Sequence, residues 1–141
     1  MALGVVVLYW GMTRKPRLNP FLKHICDLAS INSLTECAYC GSPATDREHV
    51  VPKSFRGNND TVPSCRECNL LAGDNVFDSF GEKRDFIRQK VEYRYRELIS
   101  APVWTQGEID ELAGNLHAAM SVLEKARYIT KARIRRLGGK A

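Results

Sequence analysis

Two Cys-x-x-Cys pairs, Cys37/Cys40 and Cys65/Cys68, enclose an acidic-histidine doublet, Glu48-His49. Four thiolates in this pattern make a tetrahedral zinc site, because each pair bends the backbone until both sulfurs face one point. A redox pair fits poorly, since a second pair at matched spacing has no part in that chemistry. Zinc closed by four protein ligands has no position left for water. The zinc is therefore structural, and any chemistry falls to the loop it holds, the 24 residues between Cys40 and Cys65. His49 suits the activation of water, because an imidazole changes charge around neutral pH. Glu48 offers a hard oxygen to a divalent cation such as Mg2+. Asp60 and Asn69 carry further oxygens, one before and one after the second cysteine pair. Cys26, His24 and His117 fall within helical patterns and read as ordinary packing or surface residues.

These residues need elements to position them. Asn19-Pro20 has the form of a helix start, with Asn as cap and Pro at the first helical position. Phe21, Leu22, Ile25, Leu28 and Ala29 follow at helical spacing, and the helix ends near residues 30–32. From Thr35 to Pro63 no helical period is visible, and Gly41, Pro43, Pro52, Gly57 and Asn58-Asn59 cut the segment into turns. Residues 48–51 suit a strand, one arm of a two-stranded hairpin with its loop near Arg56–Asp60. After Cys65 the pattern turns helical. Ser79/Glu82 and Thr105/Glu108 each have capping-box spacing ahead of an apolar stripe. They predict one helix from Phe80 to Ser100 and a second that runs through the basic segment to Leu137, where Gly138-Gly139 stops it.

The chain has 141 residues, which suggests one domain, with 44% hydrophobic and 26% charged residues. Five cysteines, four of them in close pairs, suit a reducing compartment and a metal better than a disulfide framework. The longest apolar run, Leu3–Trp10, falls short of the ~18 residues needed to cross a bilayer. It also lacks the basic leader and cleavage site of a signal peptide. Net charge is +5. It is concentrated: residues 125–141 hold seven Lys or Arg and no acid, leaving residues 1–124 at −2. The divisions read as a leader or short N-terminal strand over 1–18, an N-terminal helix and the cysteine-histidine core over 19–76, a helical region with a basic end over 77–137, and a tail over 138–141.

The order of the pieces is informative: Cys37-x-x-Cys40, then Glu48-His49-Val50-Val51-Pro52-Lys53-Ser54, then Val62-Pro63-x-Cys65-x-x-Cys68-Asn69, then Gly73-Asp74-Asn75. This stretch, about residues 37–76, resembles the HNH endonuclease family, whose ββα-metal motif is a hairpin and a helix around one divalent cation. The resemblance implies an HNH core with a four-cysteine zinc site; with the helical patterns on either side, the fold reads as α+β, mainly helical, with one N-terminal helix and two longer C-terminal helices. It implies hydrolysis of nucleic-acid phosphodiester bonds, with His49 as general base. Glu48 falls where the family usually has the Asp that binds the catalytic cation, Mg2+ or Mn2+. Asp60 falls where the central Asn normally stands, and Asn69 at the last motif position. Glu48 adds a methylene and Asp60 adds a charge relative to that pattern.

One cation and one histidine cut one strand, so a monomer is expected to nick. The implied partner is DNA, double-stranded first, with RNA left open and a homodimer or larger complex allowed; no membrane is implied, and the setting is the cytoplasm, or a host's for a phage-encoded chain. Lys53 and Arg56 follow His49 closely enough to contact phosphates. Arg127, Lys131 and Arg135 recur every four residues and predict a basic helix face that tracks a phosphate backbone. The competing reading is a zinc-containing module without catalysis that binds nucleic acid or docks into a complex.

Overall fold

A computed structural model describes residues 20–29, 35–51 and 60–141. The expected leader or strand over 1–18, the Asn19 cap, Lys53, Arg56 and the hairpin tip lie outside the described residues. Eight elements follow in order: α1 (Pro20–Ala29), β1 (Asp46–His49), β2 (Thr61–Ser64), α2 (Arg66–Ala72), α3 (Phe80–Arg94), α4 (Arg96–Ser100), α5 (Gln106–Asp110) and α6 (Gly114–Arg136). The architecture is mixed α and β and mainly helical, with one small sheet. No described helix is long and apolar enough to cross a membrane.

The strands pair antiparallel with Asp46 opposite Ser64, Glu48 opposite Val62 and His49 opposite Thr61. β1 thus starts two residues earlier than the sequence suggests and ends at His49. Ahead of it, the Cys37–Gly41 turn closes with the Gly41 N–H donating to the Cys37 carbonyl at 3.0 Å. Gly41 takes a φ of +76°, which a side chain would resist. The turn docks on β2 through the Ala38 N–H, which donates to the Pro63 carbonyl at 2.9 Å. Cys65 caps α2, its Sγ accepting from the Cys68 N–H at 3.4 Å.

Both expected C-terminal helices are broken once. The first stops at Tyr95 and resumes as α4, although Val91, Tyr95 and Leu98 keep the apolar period across the break. The second splits into the five residues of α5, which carry the expected capping box, and the 23 of α6. Gly114 opens α6 at a φ of +57°, a value glycine accepts without strain. α1, α3, α4 and α5 all pack on α6, while α2 packs on β1 and α3. Ile25, Tyr39, Ile87, Ile134 and the four paired cysteines belong to one continuous core. Cys26 is a buried packing residue in it, as expected.

Candidate metal centre and the Glu48-His49 doublet

The four sulfurs of Cys37, Cys40, Cys65 and Cys68 lie within 4.8 Å of one another, and all four residues are buried. No disulfide joins them. Tetrahedral zinc with bonds of about 2.3 Å sets its sulfurs about 3.8 Å apart. Cys40 and Cys65 stand at 3.7 Å. The donor set fits a metal ion and agrees with structural zinc. Crowding splits the thiols. Hydrogen bonds from Cys37, Cys65 and Cys68 hold Cys40 far below the usual thiol range, favouring the thiolate a metal needs. Hydrogen bonding to Cys37 and Cys40 pushes Cys65 up.

The cluster is braced from the far end of the chain. Arg133 on α6 is buried, faces Cys40, and places Nη2 2.6 Å from Glu67 Oε2. Glu67 also accepts from the Tyr95 hydroxyl at 2.5 Å and pairs with Arg94 at 3.3 Å. This engagement of Tyr95 coincides with the break between α3 and α4. Arg136 crosses Gly41 to reach Glu36 at 3.0 Å, an exposed pair.

The doublet is arranged differently. Side chains alternate along β1, so Glu48 turns into the protein and His49, half-buried, takes the face shared with Arg47. Glu48 is 7% exposed and pairs with Lys83 of α3, Oε1 to Nζ at 3.0 Å. The same Nζ donates to the His49 carbonyl at 3.0 Å. Tyr39 lies beside this pair. Burial first, then the Glu48 carboxylate, pushes its phenol well above the ordinary range.

Asp60 directly precedes Thr61, the partner of His49, and is exposed at the same end of the hairpin. Asn69 is half-buried on α2, next to Cys68. Among the described residues the four cysteines are the one group of three or more Cys, His, Asp or Glu whose ligand atoms converge. Glu48, His49 and Asp60 form no second group of that kind, and the Glu48 charge is already matched by Lys83. A catalytic cation on Glu48, Asp60 and Asn69 stays an expectation from the resemblance, with the Glu48 carboxylate held by Lys83.

The basic face needs a correction. Arg127 is 3% exposed, and its guanidinium donates to the Ala101 and Pro102 carbonyls, both at 2.8 Å. It closes the end of α4 and is not available to a phosphate. Lys131 is half-buried and Arg135 is exposed. Sequence reasoning passed over Lys83, Glu67, Arg133 and Arg47. A signal existed for Lys83, which sits on the apolar face of α3 in period with Phe80, Ile87 and Val91. Arg47 stands two residues before His49, the spacing of one strand face.

An alignment 50 residues long, which covers 30% of the chain, shows 38% identity to the CRISPR-associated endonuclease Cas9 of Corynebacterium diphtheriae. It covers 5% of that protein's length. No family profile matches the chain. No solved structure matches it either.

Proposed function

We propose that this chain is an HNH-type endonuclease that hydrolyses phosphodiester bonds of DNA and cuts one strand per site. The observation that carries the reading is the ββα order itself. A histidine-bearing hairpin runs directly into a helix that supplies half of a four-cysteine site. Local similarity to an endonuclease supports it. In this reading His49 takes a proton from a water in line with the scissile bond. The water oxygen attacks phosphorus and the 3′-oxygen leaves. Arg47 is exposed on the same strand face and donates to the Thr61 hydroxyl at 3.0 Å and carbonyl at 3.3 Å; in this reading its remaining donors meet a neighbouring phosphate. Zinc on Cys37, Cys40, Cys65 and Cys68 holds the hairpin against α2 and takes no part in the step. Mg2+ or Mn2+ dependence belongs to the family expectation, and the assay reads it directly.

The test is supercoiled plasmid incubated with the zinc-loaded protein and Mg2+ or Mn2+, beside His49→Ala. Nicked circles that disappear in the variant support the proposal. Binding without cutting under either cation sinks it and leaves the second reading, a zinc module that binds nucleic acid or docks into a complex. One observation favours that alternative: the Glu48 carboxylate is engaged by Lys83.

A further inference from the structure

A lysine and a glutamate that are each more than nine-tenths buried need a reason to be there. The Lys83 and Glu48 side chains are 6% and 7% exposed. Removing two charges from water is costly, and an apolar pair of similar volume often serves stability as well or better. What the pair provides that an apolar pair cannot is a fixed geometry. The Lys83 ammonium makes two short contacts, to the Glu48 carboxylate at 3.0 Å and to the His49 carbonyl at 3.0 Å. Around it stand the Tyr39 and Phe77 rings, each with its centroid 5.9 Å from Nζ. Tyr39 is held in turn by stacking on Phe80, with centroids 4.9 Å apart. One cation on α3 thus grips both residues of the doublet at the end of β1. The Glu48 side chain and the His49 backbone face inward, which leaves the imidazole on the opposite face.

We propose that Lys83 is a positioning residue for His49, acting through the His49 carbonyl and through Glu48, and that Glu48 is the anchor of this contact rather than a cation ligand. The idea rests on the nuclease reading for its catalytic consequence. Its geometric content stands apart from that reading. Lys83 is too buried to meet substrate, so its effect reaches the reaction only through the direction in which His49 points.

The experiment uses the zinc-loaded full chain as wild type, Glu48→Gln, Lys83→Met, the double variant Glu48→Met/Lys83→Met, and Lys90→Gln as an exposed control. Three readouts are taken: the ring 1H–13C resonances of His49, Mn2+ affinity by water-proton relaxation, and kcat and KM for plasmid nicking. Expected are displaced His49 resonances in both single variants and a kcat lowered about 10- to 100-fold, the usual cost of losing a group that orients a reacting side chain. KM and Mn2+ affinity stay within about twofold, and Lys90→Gln leaves every readout unchanged. Unmoved His49 resonances in Lys83→Met overturn the proposal. So does a tenfold or larger loss of Mn2+ affinity in Glu48→Gln, which would make Glu48 a ligand. If Lys83→Met strands a buried carboxylate and fails to fold, the double variant decides by the same readouts, since it removes both charges together. A wild type that neither nicks nor binds Mn2+ sinks the nuclease reading, while the His49 resonances still decide the role of Lys83.

Discussion

Two buried cations reach back from the helical half of the chain onto the hairpin-helix unit, and they grip it in different ways. Arg133 arrives from α6 on the cysteine side and meets Glu67, which Tyr95 and Arg94 also hold. Lys83 arrives from α3 on the histidine side and meets one carboxylate and one backbone carbonyl. A guanidinium presents a rigid planar fork of donors, whereas an ammonium is a compact point charge on a flexible stem. The first suits a brace that several side chains share. The second suits two short contacts that converge on one nitrogen. The cysteine side is therefore over-determined, and the histidine side hangs on a single nitrogen.

The largest expected effect removes what both cations lean on. Cys68→Ser should lower bound zinc from one per chain to near none and abolish cooperative thermal unfolding, since structural zinc can supply ~10 kcal/mol or more of folding free energy. A variant that melts like wild type without zinc would undo the structural role. Next, Arg133→Met should cost about 3 kcal/mol in urea unfolding, the scale for stranding one partner of a buried pair. It should leave the His49 ring resonances in place. If it moves them as far as Lys83→Met does, the two sides are not separable and the comparison fails.

A smaller change concerns the rest of α6. Arg127→Gln should destabilise by about 2 kcal/mol through lost charge-assisted hydrogen bonds to Ala101 and Pro102. It should leave the salt dependence of DNA binding unaltered. Arg135→Gln should do the reverse, lowering the log–log salt slope by about one while stability holds. A flattened slope in Arg127→Gln would return that residue to the nucleic-acid face.

The smallest effect is in alkali. Burial, followed by the neighbouring Glu48 and Glu67 carboxylates respectively, pushes the Tyr39 and Tyr95 phenols above their ordinary range. Above pH ~10 the unfolded chain loses protons that the folded chain keeps. The unfolded state then binds fewer protons, so stability falls as pH rises, by up to about 1.4 kcal/mol per unit for each group. Urea midpoints between pH 8 and 11 read this, and Tyr39→Phe should remove part of the slope. A midpoint that climbs over that range contradicts the burial of these phenols.

Much of this arrangement could be seen in the residues. Cys-x-x-Cys spacing forces sulfurs together whatever surrounds it, and the cluster forms as expected. Thr105 and Glu108 make their capping box, and Ser79 accepts from the Glu82 N–H, because a cap needs only its own turn. The breaks at Tyr95 and before Gly114 were harder to foresee. At Tyr95 the apolar period runs on unbroken while the hydroxyl reaches Glu67, 28 residues upstream. Gly114 was visible but the period around it masked the stop. Charge spacing on α6 marked a stripe without saying which side of it faces the core, so Arg127 read as surface. The partner of Glu48 was out of reach for the same reason. A lysine inside an apolar stripe announces a buried charge and does not name its carboxylate.

The brace at Arg133 has a consequence for the order in which the protein is made. Arg133 lies 65 residues beyond Cys68. At ~5–20 residues per second, the ribosome completes the cysteine quartet roughly 3–13 seconds before α6 can cover it. During that interval the quartet has its ligands and lacks its lid. Metal capture and helix docking become successive events in the life of the nascent chain, and the thiols are most open to oxidants between them. Thiol labelling of stalled chains ending near residue 100, compared with the full chain, would time that window; equal labelling of both would erase it.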